Sequence, residues 1–130
     1  MKTKLLLIGL LLGLISCGKE NPKIEDYREK IAGDYVGIQV DTRWINTTVG
    51  YTHDTSDVTI TLTLSKQDSI VDIAFNPPYY YNFSFKYTGD RLISTTDFHP
   101  PTLNLKNDSL YFKHQAGLGP IWMECFCKKN

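Results

Sequence analysis

The chain has 130 residues, and its 14 lysines and arginines balance 14 aspartates and glutamates, so the formal net charge is zero. Capture of nucleic acid by charge usually needs a strongly basic surface, so this balance argues against a nucleic-acid partner. The length allows one domain with a modest hydrophobic core and is too short for two.

The first 17 residues predict export and lipid attachment. Lys2 and Lys4 precede an apolar run over 5–15, which is shorter than the roughly 20 apolar residues that a spanning helix needs. This layout is typical of a secretory signal. The residues LISC at 14–17 resemble the lipobox of bacterial lipoproteins. The resemblance implies a signal peptide over 1–16 and a Cys17 that carries acyl chains such as palmitate. It implies a location at a membrane of the cell envelope, with the outer membrane favoured.

A short helix is predicted between the lipid attachment site and the folded domain. The segment IEDYREKI at 24–31 has apolar residues at 24, 27 and 31, which is helical spacing. Gly33 then ends the helix. The sequence therefore divides into a tether with a short helix over 17–32 and a β domain over 33–130.

From Asp34 onward the apolar residues recur with a period of two, which is typical of strands with one buried face. In VTITLTL at 58–64, four apolar residues alternate with three threonines. Equivalent alternation recurs through the rest of the chain. Strands are predicted at 34–41, 44–52, 57–65, 69–75, 80–88, 91–97, 102–107, 109–115 and 120–128.

Short connections between these runs predict hairpins. Asn107-Asp108 forms a two-residue turn, and Gly89-Asp90 supplies another. Pro77-Pro78 and Pro100-Pro101 interrupt strands, because proline cannot donate to a ladder. The predicted fold is an all-β, antiparallel meander of eight or nine strands. Closing it into a small barrel, or folding it into a sandwich, removes the exposed edges of an open sheet.

The start of the domain resembles that of lipocalin-like (calycin-like) proteins. A short helix leads into Ile31-Ala32-Gly33-Asp34-Tyr35, where lipocalins have a Gly-x-Trp motif and this chain has Tyr35 in the third position. The chain also ends in a strand of the lipocalin kind at 122–128. The resemblance implies a β-barrel and a function in ligand binding.

Two cysteines remain besides Cys17. Cys125 and Cys127 are two residues apart in a predicted strand, so both side chains point to one face. One interpretation places them in the core. The alternative is a disulfide, for which the Cα separation of almost 7 Å is at the geometric limit. No histidine follows at metal-ligand spacing, so neither a metal site nor a cofactor is predicted.

No pattern of catalytic residues is present, and an enzyme is not predicted. His53-Asp54-Thr55-Ser56-Asp57 gathers a histidine, hydroxyls and carboxylates, but adjacent residues in one loop cannot converge as a catalytic triad does. Turn chemistry accounts for this segment. His99 and His114 are assigned no role.

The segment NPPYYY at 76–81 is the strongest sequence indication of a binding surface. By strand parity, Tyr79 and Tyr81 join the buried face with Phe83, whereas Tyr80 lies on the wet face. Trp44 also falls on a wet face. Exposed aromatic rings beside a rigid proline loop can stack on ligands, and they can equally cap one end of a barrel.

Two functions follow from these observations. The first is a lipid-anchored domain that binds a small apolar or amphipathic ligand, with Tyr81, Phe83, Phe85 and Phe112 lining a pocket. The second is a protein-interaction module, such as an envelope inhibitor or accessory subunit, that uses Trp44, Tyr80 and the loop tips. A sizeable empty interior would favour the first function. A filled core would argue against an internal ligand pocket and would leave only the surface for binding.

Two short motifs resemble the envelope O-glycosylation site of some Gram-negative bacteria. Asp68-Ser69-Ile70 and Asp108-Ser109-Leu110 both fall at predicted hairpin turns, where a sugar could be attached. Asp-Ser is also common in turns without any sugar, so both interpretations stay open.

Overall fold

A computed structural model describes residues 26–67, 69–79 and 81–130 of the chain. The predicted signal peptide, Cys17 and Tyr80 lie outside these ranges. Where the helix was predicted, the described part contains a four-residue 3₁₀ turn at Tyr27–Lys30. The eight strands are β1 (Gly33–Asn46), β2 (Gly50–Leu64), β3 (Ile70–Asn76), β4 (Phe83–Tyr87), β5 (Leu92–Ser94), β6 (Thr102–Lys106), β7 (Ser109–Gln115) and β8 (Ile121–Lys129).

The strands form one antiparallel sheet in the order β5-β4-β3-β2-β1-β8-β7-β6. The pairing of β1 with β8 brings the two halves of the meander together. Strands β5 and β6 stand next to each other at the seam, and the described residues form no ladder between them. The predicted all-β antiparallel meander is confirmed, and its shape is a nearly closed barrel. In the described ranges, no helix is long and apolar enough to cross a membrane.

The centre of the barrel is filled with side chains. Phe85 and Phe112 have no accessible surface, so not even a water-sized space touches either ring. Tyr35 is buried, and its hydroxyl donates to the Ile31 carbonyl at 2.9 Å. The core consists of Tyr35, Val58, Ile60, Leu62, Val71, Ile73, Phe75, Phe83, Phe85, Leu103, Leu110, Phe112, Met123, Cys125 and Cys127.

Cys125 and Cys127 are both buried, and both are free thiols. The core interpretation of this pair is confirmed, and the disulfide alternative is wrong. Burial raises the pKa of Cys125 to about 12 and that of Cys127 to about 11. At neutral pH both thiols are therefore protonated and behave as small apolar core residues.

The prediction for the region 34–65 is wrong in one respect. Three short strands were expected, whereas the structure has two long ones, β1 and β2, joined by a tight turn at 47–49. The Asn46 side chain closes this turn by accepting hydrogen bonds from the Thr48 and Val49 amides at 3.0 and 2.9 Å. Residues 53–57, predicted as a loop, are exposed strand within β2.

The predicted breaks between strands are confirmed elsewhere. Asn107 and Asp108 have φ values of 48° and 61°, the left-handed conformation that a two-residue hairpin turn requires. Pro77-Pro78 lies between β3 and β4, and Pro100-Pro101 lies between β5 and β6. The strand predicted over 91–97 is only three residues long, and the one predicted from 80 begins at Phe83.

Candidate functional site

Aromatic side chains and two histidines gather at one end of the barrel, where β3 and β7 end and β4 begins. We call this end the mouth; it consists of Tyr79, Tyr81, Phe83, Phe98, His99 and His114. Antiparallel neighbours alternate in direction, so these strand ends and the loop before β6 meet at the same edge.

His114 is the centre of the mouth. It is the last inward-facing residue of β7, and its side chain is buried. Its ring centroid lies 4.8 Å from Phe83, 5.4 Å from Tyr81 and 6.0 Å from Tyr79, with all three rings tilted or edge-on to the imidazole. Such geometry is favourable for aromatic pairs. The imidazole is therefore fixed in position by rings from the β3–β4 connection and from β4.

Burial favours the neutral forms of His114 and Tyr79. Burial, assisted by the nearby His99, lowers the pKa of His114. Burial also raises the pKa of the Tyr79 phenol. The Tyr79 hydroxyl lies 3.3 Å from His114 Nδ1, within hydrogen-bond distance. A neutral His114 imidazole suits contact with an apolar group.

A cleft of about 300 Å³ opens at the mouth. Two of its rings are unusually accessible, since Tyr81 is 50% exposed and Phe98 is 73% exposed. His99 packs edge-on against Phe98 at 4.2 Å between centroids, and its backbone has a φ of 47°. The lining residues are Tyr81, Asn82, Phe83, Thr96, Phe98, His99, His114 and Gly117.

One nitrogen beside the cleft lacks a partner. His99 Nε2 is buried and makes no hydrogen bond with any described residue. A buried polar atom left unpaired costs free energy comparable to a lost hydrogen bond, and such atoms are rare in folded proteins. The cleft therefore combines accessible aromatic surface with an unused hydrogen-bonding group.

The structure separates the aromatic residues that the sequence grouped in one pocket. Phe83, Phe85 and Phe112 are buried as predicted, but Phe85 and Phe112 belong to the filled centre and only Phe83 reaches the cleft. The prediction that Tyr81 is buried is wrong. Tyr81 and Asn82 precede β4 in a bend, so the alternation that holds within the strand does not extend back to them.

Trp44 is exposed, as its parity predicted, and lies far along the β1–β2 hairpin. Its ring contacts Tyr51 at 4.9 Å, and Tyr51 contacts Trp122 at 5.3 Å, so the three rings form an outer-face cluster separate from the mouth. Phe98, His99 and His114 were not predicted as site residues from sequence. For His114 a signal was available in the apolar-polar alternation of β7, which places it on the same buried face as Leu110 and Phe112.

No group of three histidine, cysteine, aspartate or glutamate side chains in the described ranges is placed to hold a metal ion. No protein-family model matches the chain, and searches of the curated proteins and of the solved structures found no significant match. Functional assignment therefore rests on the geometry described above.

Proposed function

We propose that this chain is a lipid-anchored envelope protein with a lipocalin-like domain, and that the domain binds a small apolar or amphipathic ligand at its mouth. The observation that carries the proposal is the cleft of about 300 Å³, which is lined by the exposed rings of Tyr81 and Phe98 beside His99 and its buried, unpartnered Nε2. Ligand sites typically combine a mostly apolar lining with a few fixed polar groups, as this cleft does.

The dimensions of the cleft limit the ligand. Its volume is at the lower end of the roughly 300–1,000 Å³ that ligand pockets occupy. Because the barrel centre below Phe83 is filled, a long chain has no room to pass inward. The cleft suits one planar ring or a short apolar segment, which would stack on Phe98 and Tyr81.

Binding at the mouth is tested with residues 18–130, which contain the 3₁₀ turn and all eight strands, and with anilinonaphthalene sulfonate as an amphipathic probe. Phe98→Ala is expected to raise the dissociation constant of the probe at least about fivefold, as loss of a central aromatic contact does. Stability should change by less than about 0.5 kcal/mol, since the ring is largely exposed. Fluorescence titration and chemical unfolding provide the two measurements.

Phe126→Ala is the matched control, because this ring is 49% exposed on the outer face of β8 and lies away from the cleft. The probe should bind that variant as it binds the parent. Equal weakening by both substitutions, or no weakening by Phe98→Ala, would show that the probe binds elsewhere and would overturn the mouth as the site.

The lipid anchor depends on the lipobox at 14–17. Cys17→Ser should abolish incorporation of labelled fatty acid and leave the precursor at its full mass, because the acyl acceptor is removed. Ser16→Ala keeps a small residue before the cysteine and should still be labelled and processed. Acyl labelling of Cys17→Ser would refute the anchor without affecting the ligand test.

A second function, a protein-interaction module, has its own support. The β1–β2 hairpin carries exposed Trp44, Ile45, Val49 and Tyr51 close to its tip. Exposed apolar groups collected at one place on a small domain commonly mark contact surfaces. This surface is distinct from the cleft, so the two functions are compatible in one molecule.

A further inference from the structure

Strand β2 extends well beyond the strand beside it. It pairs with β1 over nearly its whole length, but β3 pairs only with Thr59–Leu64. On the side away from β1, residues 51–57 face no strand among the residues that the structure describes; we call this side the free edge. Free edges are templates for an additional strand, and natural proteins usually cover or blunt them.

The strand register shows which backbone amides and carbonyls point outward along the free edge. The Trp44 amide donates to Pro120, and the Asp34 carbonyl accepts from Asn130, so even-numbered residues of β1 face β8. Odd-numbered residues of β1 therefore bond to their partners in β2, which are even-numbered between 52 and 62. It follows that the amides and carbonyls of Tyr51, His53, Thr55 and Asp57 point outward along the free edge.

The free edge carries the carboxylates of Asp54 and Asp57, and Asp41 and Arg43 lie beside it on the inner face of β1. Asp41 in β1 lies directly opposite Asp54 in β2, and both side chains are on the inner face of the sheet. Like charges in this arrangement repel. Asp41 accepts a hydrogen bond from Gln39 Nε2 at 2.7 Å, but none of Asp41, Asp54 and Asp57 forms an ion pair with a described residue. A cation beside Asp54 would relieve the repulsion.

The negative charge distinguishes between two possible partners for the free edge, a second copy of this chain and a cationic segment of another protein. Antiparallel pairing of two copies of this chain through the free edge, in the register centred on residue 54, would place one Asp54 carboxylate directly opposite the other and would add repulsion to that already present between Asp41 and Asp54. An extended segment with positively charged side chains would add four or so backbone hydrogen bonds and neutralise the carboxylates. Charge complementarity therefore favours a cationic partner strand.

We propose that the free edge of β2 is a docking site for an extended, cationic segment of a partner protein, which joins the sheet as an added strand. In such β-strand addition the backbone supplies affinity and alternate side chains supply specificity. A basic residue opposite Asp54 would point to the inner face, and a second basic residue, opposite Asp57, would point outward. The proposal uses a surface separate from the mouth and does not depend on ligand binding there.

The test uses the full chain in nanodiscs of neutral phosphatidylcholine, so that a cationic peptide finds no anionic lipid. The probe is the fluorescent, end-blocked peptide Lys-Ile-Thr-Lys-Val-Thr-Val, whose lysines fall opposite Asp57 and Asp54 in the antiparallel register. Anisotropy should show saturable binding. Amide hydrogen exchange should slow over residues 50–58, where the added strand would bond, and not over β5 or β6.

Matched variants separate charge from backbone pairing. The double variant D54N/D57N should weaken the peptide about fivefold, corresponding to two exposed ion pairs. D90N, which removes an exposed carboxylate from the β4–β5 turn, should leave binding unchanged. A peptide methylated on the backbone nitrogens that face β2 should bind at least tenfold more weakly, a comparison that leaves the protein unaltered.

Three outcomes would overturn the proposal. The first is the absence of saturable binding, and the second is binding that the methylated peptide retains in full. The third is protection of residues 50–58 by protein concentration alone, together with a dimer in analytical ultracentrifugation. That result would assign the free edge to a second copy of the chain.

Discussion

Phe112→Ala is expected to lower the free energy of unfolding by roughly 3–5 kcal/mol, the range for a fully buried aromatic residue. Phe112 has no accessible surface and lies 5.1 Å from Phe75 and 5.3 Å from Phe83, between ring centroids. These neighbours belong to β3 and β4, across the barrel from β7. Because strand pairing holds these strands apart, they cannot move together to fill the cavity that loss of the ring leaves. Urea unfolding of the variant and the parent provides the measurement.

Phe126→Ala again serves as the control, since it removes the same ring from the outer face. Half of the Phe126 ring is exposed, and its contact with Tyr111 is at 5.2 Å. A cost of about 1 kcal/mol or less is expected. Equal losses from the two variants would mean that the barrel centre is not packed, and the interior would again be open to a ligand.

Gly37→Ala is expected to destabilise the domain by about 3 kcal/mol, at the upper end of the usual cost of overpacking. Gly37 lies in β1 opposite Cys127 of β8. A Cβ at this position would overlap the carbonyl oxygen of Phe126 and lie 2.6 Å from the Cys127 Cα. Both obstacles are backbone, so β1 and β8 must separate to admit the methyl group. Thermal unfolding and amide exchange in β8 would show this effect.

Gly119→Ala provides the comparison, because a Cβ there meets open space and the backbone is not left-handed. Its effect on stability should stay within about 0.5 kcal/mol. If the two alanine variants unfolded at the same temperature, the close approach of β1 to β8 at Gly37 would be wrong, and so would the closure of the barrel that depends on it.

The elements that sequence could predict are those whose pattern is set by burial or by local turn geometry. The alternation at 58–64 predicted a strand because one face of β2 packs on the core there. Asn107-Asp108 predicted a hairpin because few residue pairs adopt two consecutive positive φ values readily. In both cases the local residues contain the information that determines the structure.

The rest depends on contacts that are distant in sequence. The polar residues 53–57 suit a loop or an exposed strand equally well, and only pairing with β1 makes them a strand. Tyr81 was misassigned because parity holds only inside a strand, and the bend before Phe83 could not be located from sequence. The mouth needs the convergence of His99, from the connection between β5 and β6, with His114 from β7, and no local pattern reveals that convergence.

The position at which the chain enters the barrel distinguishes the two ends of the domain. The 3₁₀ turn at Tyr27–Lys30 is fastened to the end opposite the mouth, where Arg28 donates to the Gln67 and Ile70 carbonyls at 3.0 and 2.9 Å. From there β1 runs 14 residues, or roughly 45 Å, to the hairpin tip. If Cys17 carries a lipid, the domain is tethered through the end opposite the mouth, and the cleft and the hairpin tip lie at the end away from the point where the chain enters the barrel.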